Sequence, residues 1–264
     1  MKNNYTATIF ILLAAVGLLY RCSDCSGFEY SKVYQNAKAD FKHLPDDIWD
    51  GSKKSFLDAE NLTFLLIAGG ASIEMHNSNV DKDTAKYFER HEIFHSPADR
   101  TLNFVGGPAF HFGAAILWYS ASAEKDDKLN QNRAWIMIKA LSVTGLSTAA
   151  LKVARDNETP SGDEYAWPSG HTSSSFTVAA VLDEFYGPKV GIPAYIGASM
   201  VGIRMMDQED HWASDVVFGA TLGWIVGHSI AGDGKLPQVA GFQVIPYTYS
   251  NSGPTIGLNF RKVF

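Results

Sequence analysis

The sequence is poor in cysteine, in net positive charge and in long apolar runs, and each shortage excludes a class of protein. Cys22 and Cys25 are the only cysteines among 264 residues, so no network of disulfides can support the fold. Asp and Glu (28) outnumber Lys and Arg (22), for a net charge of −6. A nucleic-acid-binding surface needs clustered positive charge, so no nucleic-acid partner is expected.

Apolar residues make up 46% of the chain, yet they come in moderate stretches. The mean hydropathy is −0.08, and most of the uncharged stretches are too short to cross a bilayer. Buried helices of a compact all-α domain explain these lengths more economically than an integral membrane protein does. The stretches are Leu62–Ile73, Thr101–Ala123, Ala140–Leu151, Val190–Ile203 and Val216–Gly232.

The two ends of the chain differ from this middle part. The apolar run Ala7–Tyr20 has the length of a signal-peptide core, so we predict an exported protein, periplasmic or associated with the cell envelope. Because Lys2 is the only charged residue before the run, the alternative to a cleaved leader is a retained anchor. Near the other end, alternating apolar residues from Ile256 to Phe264 follow the turn cluster Asn251–Pro254, which predicts a β-hairpin. The predicted parts are a leader (1–25), a helical domain (26–235) and a hairpin extension (236–264).

Pro168-Ser169-Gly170-His171 opens a segment that is typical of a helix and stops at Gly187-Pro188. Backbone N–H groups at a helix N-terminus bind anions. Gly170 lets a ligand approach the backbone, and Ser169 adds a hydroxyl donor. His171 would face the bound anion and could give it a proton. The alternative is an ordinary capped helix with a surface histidine.

His211 and Asp215 are four residues apart, and they share a face if a helix begins at Asp210. The carboxylate would then fix one imidazole nitrogen and leave the other free as nucleophile or base. Arg204 is either a fork for phosphate oxygens or the partner of a nearby acid, Asp207, Glu209 or Asp210.

Lys152 and Arg155 are three residues apart. Two cations side by side on a helix are mildly unfavourable unless an anion lies between them. They are therefore candidates for binding phosphate, and the alternative is a solvated basic face.

Taken in order, these motifs resemble the type 2 phosphatidic acid phosphatase and vanadium haloperoxidase superfamily. The resemblance covers roughly residues 100–235 and implies an all-α helical bundle. It also implies that His211 is the nucleophile that forms a phosphohistidine, that Asp215 orients His211, and that His171 protonates the leaving oxygen. The groups implied to hold the phosphate oxygens are Lys152, Ser169, Gly170 and Arg204.

The sequence departs from the family pattern in three places. The first motif of the family ends in Arg-Pro, whereas this chain has Thr159-Pro160; a serine usually precedes the Arg of the third motif, whereas Ile203 does here. Six residues separate Arg204 from His211, where the family commonly has five. We hypothesise that Arg155 supplies the charge that is missing at Thr159.

The resemblance implies a phosphatase for phosphomonoesters or pyrophosphates, including lipid phosphates of the envelope, that needs no metal or other cofactor. Vanadate mimics phosphate and is expected to inhibit it. In one alternative, a vanadium-dependent haloperoxidase, His211 ligates vanadate as the cofactor. In the other, the chain is a non-catalytic envelope protein on a decayed site. The expected partner is a phosphorylated small molecule or lipid, with contact to a membrane surface; the oligomeric state stays open.

His91-Glu92-Ile93-Phe94-His95 matches the zinc-peptidase pattern H-E-x-x-H. That pattern requires both histidines on one helix, and Pro97 argues that any helix here ends before it. We therefore do not favour a zinc site.

Overall fold

The computed structural model describes residues 30–232, 238–239, 242–250 and 254–262. In this part the chain forms nine helices, as the sequence predicts for an all-α body. The predicted leader lies outside the described residues. The helices are α1 (Tyr30–Phe56), α2 (Ala59–Asn77), α3 (Val80–Arg90), α4 (Ala98–Val105), α5 (Pro108–Glu124), α6 (Lys128–Arg155), α7 (Gly170–Tyr186), α8 (Pro188–Asp207) and α9 (Ala213–Ala231).

A small antiparallel sheet follows the helices. Its strands are β1 (Gln238–Val239), β2 (Phe242–Ser250) and β3 (Pro254–Lys262), in the order β1-β2-β3. Ser250 lies opposite Pro254, so β2 and β3 form the C-terminal hairpin that the turn cluster predicts.

Helices α7 and α9 pack with their backbones in close contact, because α9 carries glycines where it crosses α7. A Cβ added at Gly223 would lie 2.0 Å from the carbonyl oxygen of Ser173, and one at Gly227 would lie 2.5 Å from the Cβ of Ala180. No larger residue fits between these two backbones. Apolar side chains complete the buried core around this pair, including Leu141, Val181, Leu222, Ile225 and Val226.

We expect Gly223→Ala to lower the free energy of unfolding by at least about 1–3 kcal/mol, the usual cost of overpacking a core. The added methyl group would overlap a backbone carbonyl, which cannot move aside as a flexible side chain can. Gly197→Ala on α8 is the matched control, since nothing lies within 4 Å of its added Cβ. That control should be neutral or stabilising by up to about 1 kcal/mol. Urea unfolding of both variants measures the difference, and equal stabilities would contradict the backbone contact.

Four helix ends meet at one end of the bundle. Helices α7 and α9 begin there, and α8 and α6 end there; the loop 156–169 follows α6. This loop is fixed to the start of α9, because the N–H of Ser169 donates to the carbonyl of Asp215 at 3.2 Å and the indole N–H of Trp212 donates to that of Glu158 at 2.8 Å. All three sequence motifs are therefore brought to the same end.

The uncharged stretches are less buried than the sequence analysis predicts. Leu66 on α2, Leu117 on α5 and Ile196 on α8 are all exposed, because each helix turns only one side to the core. By length and composition, α6 is the one helix in the described part of the chain that could cross a membrane alone. Helices α1 and α2 meet the same criterion only as a pair bent by 73°.

Candidate active site

The second motif lies at the start of a helix, as predicted. Ser169 is the N-cap of α7, and its hydroxyl oxygen accepts hydrogen bonds from the backbone N–H (3.4 Å) and the hydroxyl (2.9 Å) of Thr172. The N–H groups of Gly170 and His171 belong to the first turn and have no acceptor within the helix. This end of α7 therefore presents two backbone donors and the positive end of the helix dipole.

His211 contacts Asp215 as predicted, but His211 does not lie on a helix as the prediction requires. Helix α9 begins at Ala213 rather than at Asp210, so His211 precedes the helix. The Oδ2 of Asp215 accepts the N–H of Trp212 at 3.0 Å and lies 3.3 Å from Nδ1 of His211. Asp215 is fully buried. With Nδ1 directed at this carboxylate, Nε2 of His211 is the nitrogen that is free to react.

His171 is largely buried beside the other site residues. Burial, followed by the charges of His211 and Arg204, lowers its pKa to about 4. A Cβ added at Gly107 would lie 3.6 Å from Nε2 of His171, so this imidazole packs against the junction of α4 and α5. His171 is therefore neutral near pH 7 unless a bound anion stabilises its proton.

Lys152 extends from the last turn of α6 over the loop 156–169. Its ammonium donates to the carbonyl oxygens of Tyr165 and Ala166, the second at 3.1 Å. Burial lowers the pKa of Lys152 to about 8, although the charge of Asp215 acts in the opposite direction. This electrostatic contact with Asp215 joins the first motif to the third.

Thr159, which stands where the family pattern has an Arg, forms hydrogen bonds within its own loop. Thr159 is buried; its N–H donates to the carbonyl of Asp163 at 2.8 Å, and its hydroxyl accepts the N–H of Asp163 at 2.9 Å. It therefore holds the loop in a tight turn. The guanidinium of Arg155 lies 5.1 Å from the ring centre of Trp167, beside the second motif. That Arg155 binds phosphate stays a prediction.

Arg204 is buried and bonded to two carboxylates. Its Nε donates to Oδ1 of Asp99 at 2.7 Å, and Nη2 lies 2.6 Å from the same oxygen. Its Nη1 donates to Asp210. Asp210 is one of the three acids that the sequence analysis names as possible partners in one of its two alternatives. Asp99 is 105 residues away, and no local pattern indicates it.

Asp81 is a second residue that sequence reasoning misses. This buried carboxylate on α3 accepts the backbone N–H of Ser214 at 2.9 Å and its hydroxyl at 2.7 Å. It thereby fixes the first turn of α9, directly after His211. The two residues are 133 positions apart, so only the folded chain reveals the contact.

The zinc-peptidase pattern does not form the helix that it requires. Helix α3 ends at Arg90, and residues 91–95 are not helical. The N–H groups of Ile93 and Phe94 donate to the carboxylate of Asp207 at 2.7 and 2.9 Å. This segment thus binds the end of α8.

An apolar groove of about 430 Å³ lies between α5, α6 and α7. Two predicted phosphate-binding residues, Lys152 and Gly170, form part of its wall. Nothing lies within 4 Å of a Cβ added at Gly145, another wall residue, so the groove has free volume there. The rest of the wall is formed by Pro108, Phe112, Leu141, Thr144, Thr148, Ala149, Val153, Tyr165, Ser173 and Ser174.

Comparison with known proteins gives matches to the part of the chain that forms this site. The family model of the PAP2 superfamily matches residues 120–232, the segment that holds all three motifs. A lipid A 1-phosphatase of Porphyromonas gingivalis is 40% identical over 65 residues, which are 24% of this chain and 15% of that protein. This chain thus spans less than a sixth of the length of that curated relative.

Two crystal structures have a similar fold. A transmembrane PAP2-type phosphatidylglycerolphosphate phosphatase from Bacillus subtilis aligns with a TM-score of 0.54 at 18% identity, over 65% of this chain and 92% of that one. LpxE from Aquifex aeolicus aligns with a TM-score of 0.49 at 18% identity, over 58% and 95%. At this identity, the first of these alignments shows that the helical fold is shared.

Proposed function

We propose that the chain is a member of the PAP2 superfamily, whose family model matches residues 120–232, and that it is a phosphatase that hydrolyses phosphomonoesters or pyrophosphates, including those of lipids. One observation carries the proposal: the His211–Asp215 pair lies where four helix ends meet, next to the two free N–H groups that open α7. The proposed nucleophile, the carboxylate that would orient it and a candidate anion site thus lie close together.

In the first step, Nε2 of His211 attacks phosphorus while the bond from phosphorus to the leaving oxygen breaks. His171 gives its proton to that oxygen. The product alcohol leaves, and a phosphohistidine remains on His211. The N–H of Gly170, the ammonium of Lys152 and the guanidinium of Arg204 hold the non-reacting oxygens and offset their charge.

In the second step, water attacks the phosphohistidine. A water oxygen–phosphorus bond forms, the nitrogen–phosphorus bond breaks, and neutral His171 takes the proton of the water. Inorganic phosphate leaves, and both histidines return to their starting state. Asp215 keeps its bond to Nδ1 of His211 throughout, which stabilises the positive imidazolium that each step passes through.

The apolar groove beside Lys152 and Gly170 supports a lipid substrate, since a phosphate held by these residues would have its tail in the groove. The exposed apolar residues Leu66, Leu117 and Ile196 support the proposals that the protein is exported, is associated with the envelope and contacts a membrane surface. The name of the Porphyromonas gingivalis relative agrees with a phosphorylated lipid as the substrate class.

Phosphate release from soluble and lipid phosphates tests this function, with His211→Ala as the blank. The proposal requires release that depends on His211 and is inhibited by vanadate. Bromide oxidation by peroxide that needs vanadate would instead identify a haloperoxidase. Loss of both activities in a folded protein would favour a non-catalytic envelope protein.

We expect Gly145→Phe to raise the KM for a long-chain lipid phosphate by about tenfold or more, because the new ring would occupy volume that the tail needs. A short-chain phosphomonoester should keep its kcat and KM. Gly197→Phe is the matched control, since this glycine is also exposed and has open space around it, but it lies on α8, outside the groove. Equal losses on short and long substrates would contradict a tail in this groove.

A further inference from the structure

The guanidinium of Arg204 has little capacity left for phosphate in this structure. Asp99 engages its Nε and Nη2, and Asp210 engages its Nη1. One buried positive charge thus faces two carboxylates. A phosphate that bound here without any rearrangement would meet a local excess of negative charge.

The two carboxylates hold Arg204 differently. Asp99 uses one oxygen for two nitrogens of the guanidinium, from the first turn of α4, and its side chain is 22% exposed. Asp210 makes a single contact and its side chain is 43% exposed. It lies in the short segment between α8 and α9, directly before His211. Asp210 is therefore the partner that can turn into solvent at small cost.

We propose that Asp210 is a specificity-determining residue that occupies the phosphate position on Arg204 until a substrate displaces it, while Asp99 keeps the guanidinium oriented. This inference rests on the proposed function, because it assigns Arg204 to phosphate. It also gives a role to the segment between Arg204 and His211, which is one residue longer than the family pattern.

A ligand must displace the Asp210 carboxylate from Arg204, so its negative charge decides how tightly it binds. A phosphate dianion offers more charge than a monoanion and replaces the Asp210 carboxylate more readily. The site should therefore discriminate against weakly charged anions. Removal of the Asp210 charge should raise the affinity for every anion and reduce the preference for dianions over monoanions.

Isothermal titration with inorganic phosphate, together with inhibition by vanadate, tests the proposal in the full chain. Asp210→Asn and Asp210→Ala should bind both anions about tenfold more tightly than the wild type. The KM for a phosphomonoester should fall while kcat does not rise. Asp210→Glu should restore the weaker binding, which a merely structural role would not do.

Asp99→Asn is the matched control on the other side of Arg204, and it should weaken phosphate binding. Unchanged or weaker phosphate binding in both Asp210 variants would overturn the proposal. Because titration needs no turnover, tighter binding by the Asp210 variants of a chain that releases no phosphate would support the role of Asp210 and refute the phosphatase.

Discussion

His211→Ala is expected to lower kcat for phosphate release at least about a thousandfold, since the variant lacks the nucleophile of the first step and cannot form the phosphohistidine that the second step hydrolyses. Alanine adds no new bulk, and Asp215 still accepts the N–H of Trp212. The start of α9 should therefore keep its shape. A short-chain phosphomonoester is the best substrate for this measurement, because lipid presentation then does not limit the rate.

The matched control is His43→Ala, which removes an exposed histidine on α1, and it should keep the wild-type kcat. Rapid denaturation during turnover should also trap an acid-labile phosphoryl group on the wild type and none on His211→Ala. A kcat within tenfold of wild type for His211→Ala would exclude this residue as the nucleophile.

His171→Gln is expected to lower kcat for alkyl phosphates by about 10²–10⁴, the usual contribution of a general acid. The loss should be much smaller for p-nitrophenyl phosphate, whose leaving oxygen departs without a proton. This dependence on the leaving group separates a proton donor from a residue that only shapes the site. Equal losses on both substrates would assign His171 to phosphate binding instead.

The pH profile gives a second readout of the same substitution. Because the pKa of His171 is lowered to about 4, its protonated form is a minority at neutral pH. The wild-type kcat/KM should therefore rise as the pH falls from 7 towards about 6, the second pKa of a phosphomonoester, and His171→Gln should lose this rise. His111→Gln is the control and should keep this rise. Burial, followed by the charge of His171, lowers the pKa of His111 to about 4 as well, but its Nδ1 hydrogen-bonds the hydroxyl of Ser174 at 3.1 Å.

Local signals predict the parts of the site that depend on neighbouring residues. The start of α7 follows from Ser169 as an N-cap and from the end at Gly187-Pro188, and the hairpin follows from its turn cluster. The contact of His211 with Asp215 is also short-range. The backbone conformation at His211 was harder to predict. Asp215 accepts the N–H of Trp212, so the helix begins after Trp212 and not at Asp210.

The remaining contacts join distant segments, and no local pattern indicates them. Arg204 pairs with Asp99, and Ser214 binds Asp81, across more than a hundred residues each. The exposed side of α2 around Leu66 could not be predicted either, because an uncharged stretch looks the same in sequence whether its helix is covered on all sides or on one.

The glycine contact between α7 and α9 also affects the dynamics of the site. His171 lies in the first turn of α7, and Asp215, which orients His211, lies in the first turn of α9. Helices whose backbones touch at Gly223 cannot slide past each other without steric overlap. The proposed acid and the carboxylate that orients the proposed nucleophile are therefore carried by one rigid unit, whose geometry would need little reorganisation during the reaction. We infer that the site loses its arrangement only when the helix pair itself separates.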